Sequence, residues 1–258
     1  MARPIALVTG ASSGFGVSFA RRFAAEGYDV VLVARREERL RELADELTGL
    51  GAAAHVVPAD LATPEGAAGV PVRVRELGLS LDALVNNAGF GTHGRFAEED
   101  PARIADEIAV NVTALTLLTR AFLPELIAAG GVLINVSSTS AFQPGPNIAV
   151  YAATKAYVRS FTEALWQEAK GTGLQVLNIA PGPSQTEFFQ AAGSEAFKVG
   201  QVITPQDVIA LAFAELGRGA KRPTRIVGVG NAAQALAARF APTKLTLAVA
   251  DQQLGGRS

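Results

Sequence analysis

Residues 5–16 read IALVTGASSGFG, and the change of character within them decides the fold. Ile5 to Val8 is a short, almost wholly apolar run ending in Thr9-Gly10, the pattern of a strand buried on both faces of a parallel sheet. From Gly14 to Gly27 the apolar positions Phe15, Phe19, Phe23 and Ala24 recur at helical spacing, with Gly27 as a stop. The turn between them carries Gly10, Ser12, Ser13, Gly14, Phe15 and Gly16. Glycine removes the Cβ that would hold a backbone away from a pyrophosphate, and the following helix offers unpaired N–H groups and a positive dipole end. An ordinary Gly/Ser turn is the alternative, but the strand-to-helix context favours a phosphate site.

The same alternation runs outward along the chain. Val30 to Val33 reads as a second buried strand, and Arg35 to Leu50 as an amphipathic crossover helix with Leu40, Leu43, Leu47 and Leu50 on one face. Further strands are expected near Ala53 to Val57, Ala83 to Val85, Val132 to Val136, Gln175 to Ile179 and Arg225 to Val229, with helical spans around 101–129 and 151–170. Each parallel pair needs a right-handed crossover, so the series predicts a doubly wound, seven-stranded parallel α/β sheet with helices on both faces. Ligands in such folds gather at the carboxyl ends of the strands.

The chain has 258 residues without an evident linker, which favours one domain over 1–258. A formal charge of −1 and the lack of a basic stretch interleaved with aromatics argue against a nucleic-acid partner. With no cysteine and only His55 and His93 as histidines, neither disulfides nor a metal site is expected. The N-terminal apolar run is too short for a signal peptide, and no run of about 18 apolar residues stands out as a membrane span. A cytoplasmic protein is the expectation.

Threonine followed by G-x3-G-x-G, wider than the common dinucleotide fingerprint, resembles the short-chain dehydrogenase/reductase family in its branch of about 250 residues. Asn86-Asn87-Ala88-Gly89 at the end of the fourth strand and the order of serine, tyrosine and lysine further on carry the resemblance over almost the whole chain. It implies a Rossmann-like NAD(P)-binding catalytic domain, a homodimer or homotetramer, and hydride transfer between a nicotinamide and a carbonyl or alcohol. Of the second strand's end, Val33-Ala34-Arg35-Arg36, Arg35 can hold the extra phosphate of NADP with no carboxylate before Glu37, so NADP(H) is preferred over NAD(H). Alternatively, Arg35 and Arg36 are solvated residues opening the next helix. Ser13 departs from the basic residue that NADP-using members often carry there. The resemblance also gives Asp60 and Leu61 an adenine-contacting role, Asn87, Ala88 and Gly89 a place against the cofactor, and Pro181, Gly182 and Thr186 the nicotinamide-side loop. Asp60 read alone is equally a helix cap, and the Pro181 loop equally a plain turn.

Tyr151 and Lys155 stand four residues apart, so on a helix they share one face. A tyrosine of ordinary pKa near 10 needs a positive neighbour to exchange protons near neutrality, and Lys155 is placed to supply it. Strand alternation leaves Ser137 and Ser138 both open. The resemblance selects Ser138 to position the carbonyl oxygen, Tyr151 to donate the proton, Lys155 to hold the nicotinamide ribose as well, and Asn111 to support a proton path. Asn111 bonding its own helix backbone is the plainer alternative.

Phe90, Phe142, Phe188 and Phe189 fall in loops expected around the pocket, which suits an apolar carbonyl such as a lipid-like ketone, a 3-oxoacyl thioester or a bulky secondary alcohol. His93 fits the surface as well as a substrate contact. A substrate loop is expected over 183–203, and an apolar helical extension over 231–258, split at Pro242, would cover the pocket, join an oligomer or lie on a membrane. Competing functions on the same fold are a catalytically silent nucleotide sensor, an NAD-dependent alcohol dehydrogenase, and a sugar-nucleotide epimerase or dehydratase, which normally has a closer glycine spacing.

Overall fold

The computed structural model describes residues 3–184 and 202–254. Seven strands, β1 (Ile5–Thr9), β2 (Asp29–Ala34), β3 (Ala54–Pro58), β4 (Ala83–Asn86), β5 (Val132–Val136), β6 (Gln175–Ala180) and β7 (Thr224–Ile226), form one parallel sheet in the order β3-β2-β1-β4-β5-β6-β7. Between them run the helices α1 (Gly14–Ala25), α2 (Glu37–Gly49), α3 (Pro64–Glu76), α4 (Pro101–Ile108), α5 (Leu115–Ala129), α6 (Ala149–Glu168) and α7 (Pro205–Leu216), and after β7 come α8 (Val229–Phe240) and α9 (Thr243–Leu254). The expected doubly wound architecture is present.

Period-two alternation sorts the strands' side chains into two cores. Ala6, Val8, Leu32 and Ile134 point to one face, where Phe19 and Phe23 of α1, Leu40 and Leu47 of α2 and Val208 of α7 cover them. Leu7, Val31, Leu84 and Leu133 point to the other, against Val70 and Val74 of α3 and Leu118, Phe122 and Leu126 of α5. The order of strands reverses at β1, whose neighbours are β2 and β4, and this opens a crevice at their carboxyl ends. Across β4, β5 and β6 the in-register residues Asn86, Asn135 and Asn178 are all buried. Asn86 Nδ2 donates to Asn135 Oδ1 at 2.9 Å, and Asn135 Nδ2 to Thr162 Oγ1 at 2.9 Å, which ties α6 to the sheet.

Two expectations need correction. Strand β7 is shorter than Arg225 to Val229, because Gly228 turns to φ +91° and Val229 already opens α8. Asp60 does not cap α3: its Oδ1 accepts from the Ala62 N–H at 3.1 Å, while Thr63 Oγ1 takes the cap by accepting from the Gly66 N–H at 3.0 Å. The helical span Pro101–Ala129 has the length and composition of a bilayer-crossing helix, a test that the core helix of a globular fold also passes. In this fold its apolar stripe is spent on the sheet, through Leu118, Phe122 and Leu126.

Candidate active site

The glycine turn closes on itself through contacts that only glycine permits. A Cβ on Gly16 would lie 2.1 Å from the Gly10 carbonyl oxygen, and one on Gly10 2.8 Å from Nδ2 of Asn87. Gly16 therefore packs α1 under the turn, while Ser12, Ser13, Gly14 and Phe15 line a cleft of about 530 Å³. Ser13 precedes α1 in extended conformation and its side chain makes no capping bond, which leaves first-turn N–H groups for an anion. Thr9 pins the opposite wall: its Oγ1 accepts from the N–H groups of Asn87 and Ala88 at 3.0 Å each, and Asn87 Nδ2 donates to its carbonyl at 2.9 Å.

At the end of β2 both arginines line the cleft. Arg36 is the one that reaches the glycine turn, donating from Nε to Ser12 Oγ at 3.2 Å and from its terminal nitrogen to the same oxygen at 3.1 Å. Both arginines are exposed; the sequence reading chose Arg35 for the phosphate, whereas the contact with the glycine turn is made by Arg36. Asp60 and Leu61 lie on this side of the cleft; Gly89, Pro181 and Gly182 lie farther along it. These residues fit a dinucleotide: a Cβ-free turn at a helix N-terminus for the pyrophosphate, and two guanidinium groups where a second phosphate would sit. Thr186, with Phe188 and Phe189, lies outside the described residues.

Beyond Gly89 stand the groups expected to react. Ser138, Tyr151 and Lys155 all line the cleft and are all buried, with Tyr151 6% and Lys155 5% exposed. Ser138 Oγ accepts from the Ser140 N–H at 3.1 Å and is hydrogen-bonded to Tyr151, whereas Ser137 turns the other way, to the Ile179 carbonyl. The structure thus settles the direction of the two serines. Lys155 lies one turn after Tyr151, with Nζ 5.8 Å from the phenol ring centre and donating to the Val136 carbonyl at 3.0 Å. Asn111 is not on the cleft wall. It sits in a π-helical turn, Ala109–Ala114, donating to the Phe90 carbonyl at 2.8 Å and to Thr154 Oγ1 at 3.1 Å, and accepting from the Phe90 N–H at 3.1 Å. A Cβ on Gly89 would touch Asn111 Oδ1 at 2.9 Å and Lys155 Nζ at 3.1 Å, so the two side chains meet behind that glycine.

Burial dominates the electrostatics. It pushes the Tyr151 phenol above its ordinary value; the Ser138 hydrogen bond opposes this and the Glu107 charge adds to it. It draws Lys155 down to about 8, with the charge of Glu107 opposing. Glu107 itself, one turn before Asn111 on α4, is raised to about 7, chiefly by burial. The sequence reading did not single it out, because a glutamate on an amphipathic helix carries no sign of facing inward.

The model of the short chain dehydrogenase family matches residues 4–196. The chain belongs to the short-chain dehydrogenase family. It is 37% identical over 219 residues to sulfoacetaldehyde reductase 2 of Chromohalobacter salexigens, covering 81% of this chain and 86% of that one. A short-chain dehydrogenase from Sphingobium yanoikuyae, solved in complex with NADPH, superposes with a TM-score of 0.82 at 34% identity, covering 91% of each chain. A 7β-hydroxysteroid dehydrogenase superposes with a TM-score of 0.85 at 28% identity, covering 96% of each. As a member of the family it is an oxidoreductase acting on CH–OH groups.

The remaining wall of this short-chain dehydrogenase comes from its C-terminal segment. Asn231, Gln234 and Ala235 of α8 and Gln253 and Leu254 of α9 line the cleft. Ala250 and Leu254 pack on Ile148, Tyr151 and Ala152, so α9 lies directly over the tyrosine. His93 Nε2 meets the Leu254 carbonyl at 3.0 Å, which gives that histidine a tethering contact across the cleft mouth. Phe90 lines the cleft as expected, but Phe142 does not: its ring stacks under the Arg159 guanidinium, 4.6 Å away, in a separate hollow.

Proposed function

We propose that this chain is an NADP(H)-dependent reductase of a ketone or aldehyde, and an oxidant of the matching secondary alcohol, with Tyr151 as acid and base. The observation that carries the reading is the convergence of Ser138, Tyr151 and Lys155 in the cleft that begins at the glycine turn. The NADPH held by the Sphingobium relative, together with Arg35 and Arg36, supports the phosphorylated cofactor.

When bound, the nicotinamide supplies or receives the hydride. Ser138 accepts from Ser140, and its one hydrogen, given to Tyr151 when no substrate is bound, would turn to the carbonyl oxygen of a substrate. Tyr151 gives its proton to that oxygen in reduction and removes it in oxidation. Lys155 spends one hydrogen on Val136 and has others for the cofactor ribose, and a positive charge one turn from the phenol would favour phenolate. Asn111 fixes the Phe90 backbone and backs the amine. Pro181, Gly182 and Thr186 would hold the nicotinamide side, and Asp60 and Leu61 the adenine side. The substrate end mixes apolar Phe90, Val110, Ile148 and Leu254 with the carboxamides of Gln143, Gln234 and Gln253, which suits a carbonyl with an apolar body and a hydrogen-bonding group.

The same reading takes 1–258 as one catalytic domain working in the cytoplasm as a homodimer or homotetramer. The test is a carbonyl and alcohol panel followed by cofactor absorbance with NADPH and NADH, on the parent and on Tyr151→Phe. A loss of about 10²–10⁴-fold in turnover with cofactor affinity kept is expected for an acid–base group. Unchanged turnover in Tyr151→Phe defeats the assignment.

A further inference from the structure

Glu107 is fully buried, 0% exposed, and its Oε1 has no hydrogen-bond partner among the described residues. Its Oε2 accepts from the Thr92 N–H at 3.1 Å and lies 2.9 Å from Thr92 Oγ1. The same hydroxyl oxygen lies 2.5 Å from Oε2 of Glu99, which is half-buried at the edge of the molecule. A hydroxyl owns one hydrogen, and an ionised carboxylate can only accept. Two carboxylates on one hydroxyl therefore cannot both be ionised and both be bonded; one of them must carry a proton, and the hydroxyl then accepts from it while donating to the other. The chain carboxyl–hydroxyl–carboxyl begins at half-exposed Glu99 and ends one helical turn from Asn111, at a carboxyl whose charge acts on Lys155 and Tyr151.

We propose that Glu107 and Glu99 share one proton across Thr92 and that the gain or loss of this proton sets the charge felt by the Lys155–Tyr151 pair, an inference that rests on the acid–base reading above. Each reduction takes one proton from Tyr151 and leaves a phenolate; ionised Glu107 sustains the Lys155 ammonium but opposes that phenolate, and a proton entering at Glu99 and passing through the Thr92 hydroxyl to Glu107 removes the opposition. The charged groups facing Glu107 are Glu99 across Thr92 and Lys155 and Tyr151 from α6; Arg103, one turn earlier on α4, stacks its guanidinium 5.0 Å from the Phe90 ring centre. The rise of Glu107 to about 7 puts its proton exchange in the working range. Glu107 acts through Lys155 and is a positioning residue, not a catalytic one.

Glu107→Gln keeps an acceptor for the Thr92 N–H, so the loop stays anchored while the shared proton disappears. Infrared titration of the purified protein in heavy water should show a protonated carboxyl band vanishing near pH 7, absent in Glu107→Gln and shifted in Thr92→Val. The pH profile of kcat should lose an inflection in that range in Glu107→Gln, with kcat down about tenfold, less than for the direct proton donor, and Glu107→Asp should restore the inflection. Absence of the band, or variants whose profiles match the parent's, overturns the proposal. The band does not depend on turnover, so a Tyr151→Phe variant that stayed active would sink the acid–base reading separately, with the band still titrating.

Discussion

Two buried ionisable groups that feel each other's charge should leave a mark on folding stability. Glu107 moves from an ordinary 4.5 to about 7, and Lys155 from 10.5 to about 8. At 1.36 kcal/mol per unit, the glutamate shift corresponds to about 3 kcal/mol, and the lysine shift to a similar figure. The directions are opposite. Glu107 holds a proton in the folded chain that the unfolded chain has already lost between 4.5 and 7, so its contribution is fully present below 4.5 and fades as pH rises through 7. Lys155 lacks in the folded chain a proton that the unfolded chain keeps between 8 and 10.5, so stability recovers as pH rises across that window. Together they place a stability minimum between pH 7 and 8. Glu107→Gln should remove the acid-side slope, leaving the variant with about 2 kcal/mol less change than the parent between pH 5 and 7, and should start the alkaline recovery at lower pH, because the Glu107 charge no longer holds Lys155 up. Urea unfolding at fixed slope measures it, followed by the single tryptophan, Trp166, whose indole N–H donates to the Ala220 carbonyl at 2.8 Å. Parent and variant curves that run parallel from pH 5 to 8 would refute the argument.

Other outcomes follow from single contacts. Gly16→Ala places a Cβ 2.1 Å from the Gly10 oxygen, so the turn must move; NADPH binding measured by calorimetry should weaken by more than about tenfold, with roughly 1–3 kcal/mol of lost stability from overpacking. Arg36→Ala removes a guanidinium held over Ser12, and NADPH affinity should fall about 10–100-fold while NADH affinity holds, a charge-assisted bond being worth about 1.5–3 kcal/mol. Asn135→Ala strips Asn86 Nδ2 and Thr162 Oγ1 of a buried partner each, and urea unfolding should show a loss of about 2–4 kcal/mol with turnover retained.

How much of this was legible in the sequence depends on the range of the interaction. The seven strands were readable because a strand buried on both faces must be apolar almost throughout, as in Val30 to Val33 and Val132 to Val136. Helices α3 and α7 went unread, although Thr63-Pro64 and Thr204-Pro205-Gln206-Asp207 mark their starts; in the latter, Thr204 and Asp207 complete a capping box. In the site, Tyr151 and Lys155 were legible through helical spacing and Gly10 through its strand-turn context. What was not legible depends on orientation. Arg36 rather than Arg35 turns to the glycine loop, Phe142 turns out to Arg159, and Glu107 turns inward from a helix whose neighbouring residues Asp106 and Arg103 face water.

Enclosure and reactivity are linked in this site by the same contacts. The C-terminal helix α9 seals Tyr151 with Ala250 and Leu254, and that seal removes the water that would otherwise solvate a phenolate or an ammonium. A sealed phenol is a poorer acid, and a sealed amine a poorer base-holder of its proton, so the lid that excludes solvent also moves both groups away from their useful states. Compensation has to come from charge placed within the seal. Lys155, one turn from Tyr151, is the cation placed to serve the phenol, and ionised Glu107 serves Lys155 while setting itself against Tyr151. A glutamate able to gain and lose its proton reconciles those opposed effects: ionised, it sustains the amine's charge; protonated, it ceases to oppose the phenolate.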